Sequence, residues 1–299
     1  MPTPTALELP CPAKVNLALS VGPPNRDGLH PIASWMVTVH FGDHLVLERA
    51  DAADSTFDIA FDTDAPVPGQ VDWPIEQDLT WRAAALLQQH VGHTLAVRLT
   101  LRKRVPAGSG LGGGSSDAAS TLVGLNRLFE VGLDDQALMS LAMQLGSDVA
   151  FFVAAAAGQP SAVVSGFGQQ IEPVRLNQII HLVLVFPPFG CPTDDVYRDF
   201  DRLHPDASPP DTERVHALAS MSPPSPDSPF NDLADAALDV QPKLADLLTR
   251  LRDVLDTPVH VTGSGSALFV IAPSDAASRN LACKVTALTG LPAVATRTR

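Results

Sequence analysis

Apolar side chains recur at every second position in several segments of the first 160 residues, which is the period of a half-buried strand. Strands are predicted over residues 13–20, 32–41, 43–49 and 95–102, the middle two joined at Gly42-Asp43. Other segments have apolar residues three and four apart, as on one face of a helix. Helices are predicted over residues 80–90, 118–129 and 135–145. Ser116 or Asp117 is expected to cap the second helix.

The pattern changes around Gly158-Gln159-Pro160, and we place a domain boundary there, giving domains at residues 1–160 and 161–299. In the second domain, strands are predicted over residues 162–165, 181–186, 259–262, 267–272 and 293–296. Helices are predicted from Tyr197 onward, twice within residues 231–255, and over residues 274–289. Residues 203–229 are rich in Pro, Ser and Asp, and we expect a long loop or partly disordered insert.

Composition restricts the class of protein. Of the 299 residues 45% are hydrophobic, as in a globular protein with a full core, and no apolar run has the length of a membrane span. The first ten residues lack the basic start and apolar core of a signal peptide, so a cytoplasmic enzyme is expected. The net charge of −13 argues against a nucleic-acid partner. The one basic cluster, Arg102-Lys103-Arg104, indicates either a solvated strand end or a positive field beside an anion site.

The cysteines and histidines do not indicate a metal site. Cys11, Cys191 and Cys283 are far apart and form no CxxC pair, and the histidines form no HExxH motif. We therefore expect buried free thiols and no metal held by His and Cys.

A glycine-rich stretch follows the strand predicted over residues 95–102. It consists of Pro106, Ala107, Gly108, Ser109, Gly110, Leu111, Gly112, Gly113, Gly114, Ser115 and Ser116. Glycine lets the backbone approach a ligand closely, and successive N–H groups ahead of a helix attract an anion such as phosphate. A Walker A loop is excluded because no lysine precedes Ser115. A dinucleotide fingerprint is disfavoured because the preceding strand alternates and is not apolar throughout.

Two further segments carry candidate chemistry. Lys14 and Asn16 lie on one face of a predicted strand, about 7 Å apart, and either form a polar outer face or line a site. Asp148 lies between Gly-Ser and an apolar run. It is either the N-cap of a helix or a buried acid that needs a partner.

Three motifs in the same order resemble those of the GHMP small-molecule kinases. They are Pro12-Ala13-Lys14-Val15-Asn16-Leu17, the glycine stretch with Asp117-Ala118-Ala119, and Thr262-Gly263-Ser264-Gly265-Ser266-Ala267-Leu268-Phe269. Further segments, at residues 26–30, 146–149, 192–193 and 230–233, resemble the branch that phosphorylates a cytidine diphosphate sugar alcohol. The resemblance implies an α+β fold. It would combine an N-terminal domain like the second domain of ribosomal protein S5 with a ferredoxin-like C-terminal domain.

The resemblance also implies roles for individual residues. ATP would lie along residues 106–116, with Mg²⁺ near the hydroxyl of Ser115 or Ser116. Asp148 would take the proton from the substrate hydroxyl, and Lys14 would assist it electrostatically. The substrate-binding residues would be Asn16, His30, Thr193, Tyr197, Gly263 and Ser264, with His30 and Tyr197 at the cytosine. The implied partner is this small molecule alone, bound by a monomer or homodimer without nucleic acid or membrane.

Two positions depart from the family pattern. Leu29 replaces the usual tyrosine before His30, and Asp78 stands where asparagine is usual near the adenine. Leu29 therefore leaves open another kinase of this superfamily, acting on an alcohol such as homoserine or mevalonate. A binding protein with this fold and no turnover is disfavoured because Lys14, Asp148 and the glycine stretch are all present.

Overall fold

The structure is a computed structural model that describes residues 5–50, 54–221 and 223–299. Its strands are β1 Ala6–Val21, β2 Ile32–Arg49, β3 Thr56–Phe61, β4 Val97–Lys103, β5 Ser161–Gly166, β6 Gln170–Pro173, β7 His181–Val185, β8 Phe230–Asn231, β9 His260–Val261, β10 Leu268–Ala272 and β11 Ala293–Arg297. Its α-helices are α1 Leu79–Val91, α2 Gly113–Leu128, α3 Asp135–Leu145, α4 Ser147–Ala156, α5 Thr193–Leu203, α6 Thr212–Ser220, α7 Ala234–Val240, α8 Pro242–Val254 and α9 Asp275–Thr289. A short 3-10 helix spans Ile75–Gln77. None of these helices is long and apolar enough to cross a membrane.

The chain forms two compact units that are interleaved in sequence. Unit 1 comprises Met1–Ala13, Gly42–Val105 and Gly112–Gln159. Unit 2 comprises Lys14–Phe41, Pro106–Leu111 and Pro160–Arg299. Strands β1 and β2 and the glycine stretch each contribute residues to both units. The division predicted near residue 160 stays a prediction.

In unit 1, strands β2, β3 and β4 form a sheet, and helix α2 packs closely on β2, since a Cβ at Gly124 would lie 2.5 Å from the Leu47 side chain. The last part of β2 pairs antiparallel with β4, Leu47 facing Leu99, and β3 pairs parallel with β4. Helix α2 packs against α1, α3 and α4, and its side chain Leu122 is fully buried. In α4 the residues from Val149 to Ala154 are all buried, because this helix is apolar on every face.

Unit 2 contains two groups of strands. The first part of β2 pairs antiparallel with β5, which pairs with β6, and β1 pairs parallel with β8. A separate antiparallel sheet has the strand order β11-β7-β10-β9. Its buried side chains, among them Val183 and Leu268, share one apolar core with Leu247 and Leu251 of α8 and Val285 of α9. Helices and antiparallel strands arranged in this way agree with the α+β class that the sequence predicts.

Several sequence predictions about elements are wrong in detail. Residues 32–49 form one strand and not two. Gly42 does not form a turn; it allows β2 to approach the backbone of β1 closely. A Cβ at Gly42 would lie 2.2 Å from the carbonyl oxygen of Cys11. Residues 203–229 include helix α6, so they are not a long loop. Helix α2 begins at Gly113, with Gly112 as its N-cap, so neither Ser116 nor Asp117 caps it.

Candidate active site

In unit 2, the first half of the glycine stretch lies against the second glycine-rich segment, residues 263–266. The Ala267 amide donates a hydrogen bond to the Ser109 carbonyl, at 3.0 Å. Gly110 has a φ of +77°, and a Cβ there would lie 2.2 Å from the Thr262 carbonyl oxygen. Only glycine allows both this backbone conformation and this approach. Two of the predicted motifs are therefore in direct contact.

Lys14 and Asn16 form a buried polar network on β1. The Lys14 Nζ donates to Asn16 Oδ1 at 2.5 Å, and the side chains are 5% and 2% exposed. Asn16 Nδ2 donates to Ser34 Oγ at 2.8 Å, and the Asn16 amide donates to Thr262 Oγ1 at 3.0 Å. A polar outer face is thus wrong for these residues. The network joins the first and third predicted motifs.

The remaining candidate substrate residues of unit 2 lie along helix α5. Thr193, at its start, has its Oγ1 3.0 Å from the Oγ of Ser264. One turn later, Tyr197 has its ring centroid 4.8 Å from that of His30. The His30 Nε2 lies 2.8 Å from Asp201 Oδ1. Leu29, where tyrosine is usual, is 57% exposed.

In unit 1, the second half of the glycine stretch forms the N-terminus of α2. The first N–H groups of a helix have no intrahelical acceptor, and the helix dipole makes this end positive. A Cβ at Gly114 would meet only Leu79, at 3.6 Å, so this position has little bulk around it. Ser115 is half-buried. Ser116 is fully buried, and its Oγ has no hydrogen-bond partner among the described residues. This end of α2 therefore fits an anion, with Ser115 as the accessible hydroxyl.

A buried cluster of one lysine and two aspartates supports the strand that leads into the glycine stretch. Lys103 Nζ lies 2.8 Å from Asp43 Oδ2 and 2.6 Å from Asp117 Oδ2. Asp43 Oδ1 also accepts from the amides of Arg104 and Val105. Lys103 is buried between these two carboxylates, so a solvated strand end is wrong for this residue. Arg102 lies at the surface and pairs with Asp58, so its charge is also compensated and does not form an open positive field.

The charges in this cluster are strongly coupled. Burial raises the pKa of the Asp117 carboxyl to about 8, against the opposing effect of the Lys103 ammonium, and Asp43 adds to the rise. Burial lowers the pKa of Lys103, but the two carboxylates more than compensate and hold it above its ordinary value. Lys103 therefore stays charged, and Asp117 is the group that carries the exchangeable proton.

Asp148 lies in the first turn of α4, at the second position of the helix and half-buried. Gly146 is the N-cap, so the capping role suggested for Asp148 is wrong. A carboxylate in a first turn is stabilised by the positive end of the helix.

Sequence reasoning missed the contacts of four polar residues, Ser34, Asp43, Asp117 and Asp201, although it named Asp117 as a possible helix cap. Each contacts a residue that is distant in sequence, and spacing does not reveal such pairs.

Asp78 is explained by a local pattern, since it caps α1 by accepting from the Thr80 amide at 2.8 Å. Its other oxygen accepts from Trp73 Nε1 at 2.9 Å. Asparagine at this position would turn an amide donor toward that N–H, so aspartate suits the tryptophan.

Residues 78–156 match the family model described as GHMP kinases N terminal domain. The fold and the three motifs therefore define a protein of the GHMP kinase class, whose members are ATP-dependent kinases. A kinase from Thermobifida fusca (strain YX), "4-diphosphocytidyl-2-C-methyl-D-erythritol kinase", is 36% identical over 96% of this chain and 94% of its own length. One of the same name from Caulobacter vibrioides (strain NA1000 / CB15N) is 35% identical over 91% of each. The chain belongs to the family of 4-diphosphocytidyl-2-C-methyl-D-erythritol kinases, as the resemblance implied.

Solved structures agree with this assignment. A crystal structure of 4-(cytidine 5'-diphospho)-2C-methyl-D-erythritol kinase, 33% identical, superposes with a TM-score of 0.75 over 98% of this chain and all of its own. A mevalonate kinase from L. major superposes with a TM-score of 0.69 at 14% identity, covering all of this chain and 98% of its own. The second likeness concerns the fold alone. The predicted α+β fold of the GHMP kinases is confirmed.

Proposed function

We propose that this protein transfers the γ-phosphoryl group of ATP to the 2-hydroxyl of 4-diphosphocytidyl-2-C-methyl-D-erythritol, in non-mevalonate isoprenoid biosynthesis. The observation that carries the proposal is the relation to kinases of that name over nearly the whole chain. Homoserine and mevalonate kinases share only the fold at 14% identity, so neither favours a different alcohol.

Phosphoryl transfer depends mainly on positioning and on stabilisation of negative charge. The backbone N–H groups of residues 107–114 bind the phosphates of ATP, helped by the positive end of α2. Mg²⁺, when bound to ATP, neutralises phosphate charge. The Ser115 hydroxyl is the protein group proposed beside it, because Ser116 faces the interior.

The acceptor hydroxyl is activated by two side chains. Asp148 accepts its proton as the oxygen attacks, acting as a general base. The Lys14 ammonium stabilises the negative charge that develops on that oxygen. Asn16 fixes the direction of the Lys14 side chain through the 2.5 Å hydrogen bond between them.

The proposal is tested by following ADP release in a coupled assay, with 4-diphosphocytidyl-2-C-methyl-D-erythritol, homoserine and mevalonate as separate acceptors. Turnover of the cytidyl compound alone is the expected result. Turnover of another alcohol without it would overturn the assignment of substrate. Binding of ATP with no turnover of any acceptor would favour a binding protein.

A further inference from the structure

One face of helix α5 forms a continuous track in unit 2. Thr193, Tyr197 and Asp201 are four residues apart, so they lie along the same face and span about 12 Å. At one end, Thr193 contacts Ser264, and a Cβ on the neighbouring Gly263 would lie 3.4 Å from Asn16 Oδ1. At the other end, Tyr197 and Asp201 both contact His30. The track thus runs from the Lys14–Asn16 network to the His30 ring.

This track suits the proposed substrate, which has its reacting alcohol at one end and its base at the other. If the alcohol lies at Lys14, an extended molecule places its base at His30 and Tyr197. The inference drawn from this geometry therefore rests on the proposed function.

Asp201 determines which nitrogen of His30 carries the proton. An ionised carboxylate only accepts hydrogen bonds, so the Nε2 that lies 2.8 Å from Asp201 Oδ1 must be the N–H. In the neutral ring the other nitrogen, Nδ1, is then an acceptor. Nδ1 has no hydrogen-bond partner among the residues that the structure describes. The His30 side chain is only 7% exposed, and the Tyr197 ring packs beside it, so its orientation is fixed.

We propose that Asp201 is a positioning residue for base selection: it holds His30 with Nδ1 as an acceptor, which selects cytosine over uracil. Cytosine carries an exocyclic amine that donates a hydrogen bond, whereas uracil has a carbonyl oxygen at the same position. The acceptor Nδ1 of His30 pairs with the amine of cytosine. When uracil is bound, Nδ1 instead faces the carbonyl oxygen, which is also an acceptor, and no hydrogen bond forms. Such a mismatch inside a site is costly because both groups lose their partners.

The test compares Asp201→Asn with Asp195→Asn as a matched control. Asp195 lies on the same helix and pairs with Arg198, so its substitution removes an equal charge without touching His30. An asparagine amide can donate to Nε2 and so allows the opposite tautomer of His30. For Asp201→Asn we expect KM for the cytidyl substrate to rise about tenfold. Its kcat and its KM for ATP should not change, and the control should match wild type.

Two further measurements, the preference for cytidine over uridine and the NMR spectrum of His30, distinguish a positioning role of Asp201 from a general loss of structure. The ratio of kcat/KM for the cytidine and uridine forms of the substrate should fall about tenfold in Asp201→Asn. Nitrogen-15 NMR of the imidazoles should show His30 protonated at Nε2 in wild type and a mixture of tautomers in the variant. Asp201→Glu retains the carboxylate and should retain the tautomer and most of the discrimination. If Asp201→Asn does not fold, the tautomer of His30 in the wild-type protein still decides the inference.

The outcomes are distinguishable. No turnover of the cytidyl compound by wild type refutes the proposed function and, with it, a role for Asp201 in base selection. Turnover by wild type with the same discrimination in Asp201→Asn refutes the inference alone. An Nδ1–H tautomer of His30 in wild type also refutes it.

Discussion

Asp148 is the side chain on which the proposed chemistry depends most directly. Asp148→Asn keeps the shape of the residue but cannot accept the proton. We expect kcat to fall by about 10² to 10⁴-fold, the usual contribution of a general base, while ATP still binds. Steady-state kinetics and an ATP titration measure the two effects. Asp135→Asn, in the first turn of the preceding helix, is the control and should keep wild-type kcat. A variant at Asp148 with wild-type rate would show that another group is the base.

At the residue scale, the Lys103–Asp43–Asp117 cluster links folding to pH. The pKa of Asp117 rises from 3.8 to about 8 on folding, so the folded chain keeps a proton that the unfolded chain releases. Its contribution to stability is complete below the unfolded pKa and is lost as pH rises through about 8.

We therefore predict that the free energy of unfolding falls between pH 5 and about 8 with a slope approaching 1.4 kcal/mol per pH unit from this group. Asp117→Asn removes the titrating proton and should flatten that part of the profile. Urea unfolding of both proteins at several pH values measures the difference. Parallel profiles for wild type and variant would contradict the prediction.

At the scale of elements, the contact between the two glycine-rich segments sets what Gly110 tolerates. Gly110→Ala adds a Cβ that overlaps the Thr262 carbonyl and also strains a φ of +77°. Gly290, which ends α9, has a similar φ of +74°, but a Cβ added there would meet nothing within 4 Å. Gly290→Ala is therefore the control for strain alone. Both variants should be destabilised by about 1 kcal/mol through strain. Gly110→Ala should lose at least a further 1 kcal/mol from the overlap. Equal urea midpoints for the two variants would show that the segments separate without cost.

Periodicity predicts elements well where one face alone is buried. Helix α3 has the predicted bounds, and α9 begins within one residue of its prediction. The pattern failed in residues 203–229, where proline and serine conceal the short helix α6. That helix depends on tertiary contacts, since Asp211 caps it and donates its amide to Ser20, and Arg214 lies 3.7 Å over the Phe230 ring. The composition of residues 203–229 gives no information about such partners, because they lie elsewhere in the sequence.

At the scale of the whole molecule, the sequence predicted the fold class and the family because three motifs occur in a fixed order. It also identified Lys14, Asn16 and the glycine stretch as candidates from residue type and spacing alone. It left open whether Lys14 faced solvent or lined a site, because an alternating strand has a polar face in both cases. It gave no sign of Asp201 at His30 or of Asp43 at Lys103, pairs that are 171 and 60 residues apart. Only the folded chain brings these partners together.

The distribution of the three thiols has a practical consequence for labelling. Cys11 and Cys191 are buried, and burial raises the pKa of both, that of Cys191 to about 11. Cys283 is exposed on α9. Because only an accessible thiolate reacts readily, the native chain should take up one maleimide dye, and the urea-unfolded chain should take up three. Intact-mass spectrometry counts the adducts, and a second native adduct would contradict the burial of the other thiols. The unmutated protein thus offers a single attachment point for a fluorophore or a sensor surface.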